Sequence, residues 1–243
     1  KSVFAVVLIA AVLMAATPTV AAPSSPRLVL QITVDSLRGD IPTRYYDRLS
    51  DNGFRYLWEK GTVYTDAHHD HANTETVVGH TTLATGAHPA VHGMVANLWF
   101  DRSEGRKFYN IEDDHYRLLT AGGGVDKDAE IDPTQKAAKS EGRSPATIMV
   151  STFSDELAIH TAGQSKIFAV SVKDRGAVTM AGHAGKAFWF SKASGEFVTS
   201  SYYYDIYPDW VSQWNAKKPA AAYTGTSWEL MRDPSFYLFG GAD

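Results

Sequence analysis

Three short stretches hold the residues able to do chemistry. The apolar run Leu28 to Val34, in RLVLQITVDSLRGD, stops abruptly at Asp35. A carboxylate just past a strand's carboxyl end stands where open α/β sheets bind ligands. A hard oxygen there suits a divalent cation; it equally suits a helix cap or a loop salt bridge. The second stretch is HANTETVVGHTTLATGAHPAVHGMVAN, rich in threonine, in a chain with no cysteine. Thr74 and Thr76 fall at a strand-to-helix junction, where a threonine ordinarily caps the helix. A free hydroxyl is a poor nucleophile at neutral pH, and a divalent cation would lower its pKa. The helix N-terminus would then offer N–H groups to a phosphate. The third stretch is KIFAVSVKDRGAV, in which Lys173 and Arg175 follow the apolar run Ile167 to Val172. Alternation along a strand edge would put both cations on one face. Arg supplies a bidentate fork for an anion and Lys a point charge. The competing reading is two solvated charges, or ion pairs with Asp174 and its neighbours.

Other clusters carry less. In HHDH, His68 to His71, strand alternation would send His68 and Asp70 one way and His69 and His71 the other, which argues against a shared metal. His80, His88 and His92 are expected to organise loops. Trp189, Trp210, Trp214 and the run Tyr202 to Tyr204 could form a ligand platform, but packing is the ordinary use of such aromatics.

The elements that must position these residues read as follows. Leu28 to Val34 is expected as a buried parallel strand. DNGFRYLWEKG is expected as a helix ending at Gly61, and TVYTDAHH as a second strand, completing a βαβ unit. ETVVGHTTLATG predicts a short helix stopped by Gly86. Residues from about Asp101 to Gly142 read as a long surface loop. Ser144 and Pro145 predict a helix start, with Ile148, Phe153, Leu157 and Ile159 facing a sheet. Ile167 to Val172 predicts another buried strand, KAFWFSKASGEFVTSSYYY a hairpin turning near Gly195, and YPDWVSQWNAKK a helix after Pro208. The fold class is α/β: a doubly wound, mostly parallel sheet with helices on both faces, plus an accessory hairpin. The domain spans 27–243, with an insertion at about 101–142 and an accessory hairpin and helix at about 186–215.

The 243 residues carry a net charge of −4 without basic blocks, so nucleic acid is not an expected partner and local charges must hold an anion. Lys1, the apolar run Val3 to Ala16 and the small residues before Pro23 follow the order of a secretory signal. Residues 1–22 are therefore expected as a signal peptide. Ala21-Ala22 is favoured for cleavage, because Pro23 disfavours a cut directly before it. The competing reading is a membrane span. The signal reading makes the domain exported, periplasmic or extracellular, with no stable membrane anchor. An exported chain without cysteine relies on its core and on metals rather than on disulfides.

VDSLRGD, TETVVGHTTLATGAHPAVHG, ANLWFDR and SVKDRGAV together resemble the alkaline phosphatase superfamily. More narrowly, they are similar to its exported monoesterases that use threonine in place of serine. The likeness runs from about Arg27 to Trp214. The threonine-to-His-Gly segment is shared with nucleotide pyrophosphatases and phosphodiesterases, and the Lys-x-Arg motif is the more selective. The resemblance implies that Asp35 is a zinc ligand and Thr76 both nucleophile and zinc ligand. It implies that Asn97 hydrogen-bonds a phosphoryl oxygen, and that Lys173 and Arg175 contact the remaining ones. It implies hydrolysis of small-molecule phosphate monoesters through a phosphothreonine, with two Zn2+ ions clamping the apical oxygens. The family's further Asp and His ligands have no counterpart after Arg175. Two ligands do not make a zinc site. The chain, which begins with Lys, is thus expected to be the N-terminal portion of a longer enzyme, binding metal poorly and nearly inactive alone. The alternatives are a diesterase or nucleotide pyrophosphatase, or a non-catalytic phosphate- or glycan-binding relative.

Overall fold

The structure, a computed structural model, describes residues 26–237 and divides at Val34/Asp35 into two units. The expected signal segment lies outside the described residues.

In the first unit, Pro26 to Val34 runs without a β-ladder, and its apolar side chains are exposed, Leu30 by 73%. The expected buried strand is therefore not formed. A parallel strand needs hydrogen-bonded neighbours and two covered faces, and the described residues supply this segment with no partner strand.

The second unit contains helices α1 (Ile41–Arg44), α2 (Phe54–Lys60), α3 (Thr76–Thr85), α4 (Pro89–His92), α5 (Pro133–Lys136), α6 (Phe153–His160), α7 (Asp174–Ala181) and α8 (Asp209–Ala216). Its strands are β1 (Leu98–Asp101), β2 (Arg106–Tyr109), β3 (Phe168–Ser171), β4 (Lys186–Ser191) and β5 (Glu196–Val198). β1 and β2 form an antiparallel ribbon. β3 runs parallel to β4, and β4 antiparallel to β5. The α/β class holds, with one parallel pair among the described residues.

Helix α7 packs on α3 and on strands β3 and β4. Val77 and Val78 of α3, Ala177, Val178 and Ala181 of α7, and Ala187, Trp189 and Val198 of the sheet share one core with Met94, Tyr109 and Ile111. The close fit of α7 on β3 depends on Gly176: a Cβ there would stand 2.6 Å from Ser171 Oγ. Helix α3 ends as expected at Gly86, whose φ of 66° lies in the left-handed region.

Several expected elements differ. Thr62 to His69 forms no strand, so α2 stands without the βαβ unit and leaves Phe54 and Leu57 exposed. The helix expected from Ser144 begins only at Phe153. There Thr152 and Asp155 form a reciprocal capping box, a stronger start signal than Ser-Pro; Ser144 Oγ instead accepts from Ala146 N in a local turn. Strand β3 forms, but among the described residues it is an edge strand that buries Ala169 and exposes Phe168 and Val170. The hairpin turns at Gly195, as expected, yet it is part of the main sheet rather than an accessory, since β4 pairs with β3. Residues 101–142, expected as a long surface loop, instead hold β2 and α5 and send Tyr109, Ile111, Leu118 and Ala138 into the core. The aromatics mostly pack: Phe188 stacks on Tyr204 and meets Trp210 edge-on.

Candidate active site

Thr76 is the first residue of α3, and its hydroxyl does not cap the helix. It donates instead to Asp35 Oδ2 at 3.2 Å, across 41 residues of sequence. The cap comes from elsewhere: Asn97 Oδ1 accepts from Val77 N at 3.0 Å. A backbone N–H can only donate, so the amide oxygen must face the helix and the NH2 end of Asn97 must point away. Asn97 is held in turn by its own N–H on Glu75 Oε2 and by Asn110 Nδ2 on its carbonyl, each at 2.5 Å. His80 Nδ1 donates to the Thr76 carbonyl at 2.8 Å, one turn along the helix.

Lys173 and Arg175 come together for a different reason than strand alternation. Lys173 is the N-cap of α7 and Arg175 lies in its first turn, so neither is on a strand. Their shared partner is Asp132, which was not among the residues expected to matter. Its Oδ2 lies 2.5 Å from Lys173 Nζ and 3.0 Å from Arg175 Nη2. Asp174, expected as a possible partner, faces the other way. It is buried and accepts from Arg143 Nε at 2.6 Å, Tyr109 Oη at 2.7 Å and Gln135 Nε2 at 3.1 Å. Burial alone would push its carboxyl up, but the Arg143 charge and these hydrogen bonds hold it below the ordinary range. Burial drives the Tyr109 phenol well above its ordinary value, so it stays a neutral donor. Arg175 is only 4% exposed, and its Nε–H is a buried donor left unpaired among the described residues.

Consecutive residues join the two clusters. Tyr109 reaches Asp174 on the basic side, and Asn110 reaches Asn97 on the threonine side. Helix packing makes a second link, since a Cβ at Gly176 would lie 3.8 Å from His80 Nε2. Both helix N-termini, sources of partial positive charge, are thereby tied to one strand end. A partly open pocket borders Lys173 and Asp174, lined also by Glu130, Trp189, Phe190 and Lys192; it does not include Asp35, Thr76 or Asn97.

Asp35 and Thr76 offer two oxygens at a separation of 3.2 Å. Oxygens sharing one tetrahedral zinc at about 2.0–2.2 Å stand roughly 3.3–3.6 Å apart. The pair fits as part of a zinc site but not as a whole one. Among the described residues, the acidic and histidine group spaced for a cation is Asp113, Asp114 and His115, on the loop after β2. The histidines near Thr76 work locally: His92 and His71 share Thr82 Oγ1, and His92 Nδ1 accepts from Met94 N. His68 pairs with Asp66, and Thr74 is exposed.

Sequence reasoning passed over Asp132, Tyr109 and Asn110. The motif Asp132-Pro133-Thr134 was readable as an N-cap before a helical proline. Nothing local ties Tyr109 or Asn110 to residues tens of positions away.

The type I phosphodiesterase / nucleotide pyrophosphatase family matches residues 29–233. The chain is 32% identical to alkaline phosphatase PafA of Elizabethkingia meningoseptica over 98% of its own length and 41% of that protein's. It is 32% identical to alkaline phosphatase PhoV of Synechococcus elongatus, over 90% of this chain and 37% of the relative. A protein named calcium-transporting ATPase of Myroides odoratus is 33% identical, over 90% and 37% respectively. The chain thus spans about two fifths of these relatives. The crystal structure of wild-type PafA superposes with a TM-score of 0.72 at 31% identity, covering 83% of this chain and 36% of that one. A PafA variant substituted at a threonine, an asparagine, a lysine and an arginine gives the same TM-score at 29% identity. On a match across most of its length and relatives above 30% identity, the chain belongs to the type I phosphodiesterase / nucleotide pyrophosphatase family.

Proposed function

We propose that this chain is the nucleophile- and phosphate-binding part of an exported, zinc-dependent phosphate monoesterase that works through a phosphothreonine at Thr76. The observation that carries the reading is the Thr76 hydroxyl, freed from capping and turned onto Asp35. The four residue types substituted in the PafA variant support it: the threonine and asparagine there have the separation of Thr76 and Asn97, and the lysine and arginine that of Lys173 and Arg175.

In this reading Asp35 and Thr76 hold part of the metal site, and the metal when bound lowers the hydroxyl's pKa. Thr76 Oγ1 attacks phosphorus in line, the leaving group departs as an alcohol, and water then cleaves the phosphothreonine. Asn97 gives its NH2 end to one phosphoryl oxygen, Lys173 and Arg175 theirs to the others. Donors fixed before the substrate arrives cost no reorganisation as charge develops. With two metal donors among the described residues, this chain alone is expected to hold zinc weakly and to turn over little. Small phosphate esters are the substrate class, and the apolar leader supports export.

A diesterase is the nearest alternative, because the family includes such enzymes. A diester has one fewer charged oxygen and gives two cations less to do. In the full-length protein, 4-nitrophenyl phosphate should be preferred over bis(4-nitrophenyl) phosphate, and replacing Lys173 and Arg175 together by alanine should cut the monoester rate about 10²–10³-fold. Preference that survives the double substitution would overturn the role of the pair. Acid quenching should trap phosphate on Thr76; a trap lacking it, with substrate affinity unchanged in Thr76→Ala, would favour a non-catalytic binding protein.

A further inference from the structure

The pair Lys173 and Arg175 poses a physical difficulty. Two like charges two positions apart repel, and both side chains are long and rotamer-rich. Asp132 answers both problems. We propose that Asp132 is a positioning residue for the phosphoryl-binding pair, one carboxylate oxygen setting the ammonium and the guanidinium in register for a monoester phosphate. The inference rests on the functional reading above.

The carboxylate is itself fixed. Asp132 caps α5, and its Oδ1 accepts from Thr134 N at 2.9 Å and from Thr134 Oγ1 at 2.6 Å. That leaves Oδ2 aimed at both cations. Thr134 contributes again, because its Oγ1 accepts from Arg175 Nη1 at 3.1 Å. Asp132 and Thr134 therefore grip the guanidinium at two nitrogens, while Nε–H stays without a partner among the described residues. The Asp132 side chain is 11% exposed. Burial opposes its charge, but the hydrogen bonds from Lys173 and Thr134 and the nearby Arg175 charge outweigh burial and keep the carboxyl well below its ordinary range. An anion tied to a helix start, and followed by Pro133, is built to stay in place. It cancels one of the two positive charges and leaves the other for substrate. A carboxylate that merely occupied the phosphate position would need freedom to leave.

The test uses the full-length protein loaded with zinc. Steady-state kinetics on 4-nitrophenyl phosphate and bis(4-nitrophenyl) phosphate would be measured for wild type, Asp132→Asn, Asp132→Glu, and the double substitution Lys173→Ala with Arg175→Ala. Inorganic phosphate affinity would be measured by calorimetry. Asp132→Asn should lower monoester kcat/KM about 10–100-fold, the range for a residue that orients a directly contacting group. Diester kcat/KM should change less than about 3-fold, phosphate Kd should rise with the monoester loss, and Asp132→Glu should recover part of it. In the double-alanine background, Asp132→Asn should add no further monoester loss, as expected when one residue acts through the others. Equal losses on both esters, no loss on either, or tighter phosphate binding would overturn the proposal; the last would make Asp132 a competitor of the anion. If Asp132→Asn does not fold, Thr134→Val removes one anchor of Oδ1 and one guanidinium contact, and a monoester-selective loss is again required. Failure of the functional reading is visible separately, in wild type and the double-alanine variant alone.

Discussion

Thr76 and Asp35 meet through a single hydrogen bond, and Asp35 is exposed to solvent. Arg175, Asp174 and Arg143, by contrast, are each less than 5% exposed and are cross-linked by Tyr109, Gln135 and Asp132. The two halves of the site are built to different degrees by the same chain. The basic half needs fixed dipoles and charges, and 101–142 together with α7 supply them. In the proposed function the threonine half works through a polarising cation, for which Asp35 and Thr76 are the two donors offered. An anion-binding half can be preorganised by protein alone; a nucleophile that depends on a metal is finished only when the remaining ligands converge.

The largest effect expected is on chemistry. Thr76→Ala should reduce turnover of the full-length protein by on the order of 10⁴-fold or more, as for other nucleophile deletions, with a melting curve close to wild type. A large fall in melting temperature would mean that the threonine half is also structural, and the contrast would fail. Next comes Arg143→Ala, which strands Asp174 as a buried charge. Urea unfolding should show a loss of about 3–5 kcal/mol, and a loss under about 1 kcal/mol would mean that the basic half is not the rigid one.

The pH dependence of stability sharpens the same contrast. The folded-state pKa of Asp132 is depressed, so the unfolded chain takes up a proton first as pH falls. Its contribution is complete above the ordinary Asp value of about 3.9, and it is lost as pH drops from there toward the depressed value. Urea midpoints of wild type and Asp132→Asn should therefore differ at pH 6 and converge as pH is lowered through that window. The smallest effect should belong to Asp35→Asn, an exposed side chain with one such bond. Its stability should fall within about 0.5 kcal/mol of wild type, while zinc affinity of the full-length protein drops. A destabilisation of several kcal/mol would show that Asp35 holds the fold.

Local chemistry made part of this legible. Gly86 had to stop α3 because only glycine enters the left-handed region cheaply. Gly195 marked the hairpin turn for the same reason. Residue type and position pointed to Asp35, Thr76, Lys173 and Arg175, and the family resemblance added Asn97; hydrogen bonds join Asp35 to Thr76 and, through Asp132, Lys173 to Arg175. Strands were read less well. Leu28 to Val34 and Thr62 to His69 have the composition of strands but no partners among the described residues, and a ladder is a property of two segments. The helix expected at Ser144 lost to the capping box at Thr152, whose two reciprocal bonds satisfy more backbone donors than a serine followed by proline.

By itself the sequence determined which residue types could react and where short-range signals start or stop a helix or turn. Those features depend on backbone torsions and on neighbours three or four positions away. Tertiary structure alone decided that the Thr76 hydroxyl serves Asp35 rather than its own helix, that Asn97 caps that helix from 20 residues away, and that Asp132 pairs with cations about forty residues on. Such pairings follow from which surfaces pack together, and burial then makes each unpaired polar group costly enough to select its partner.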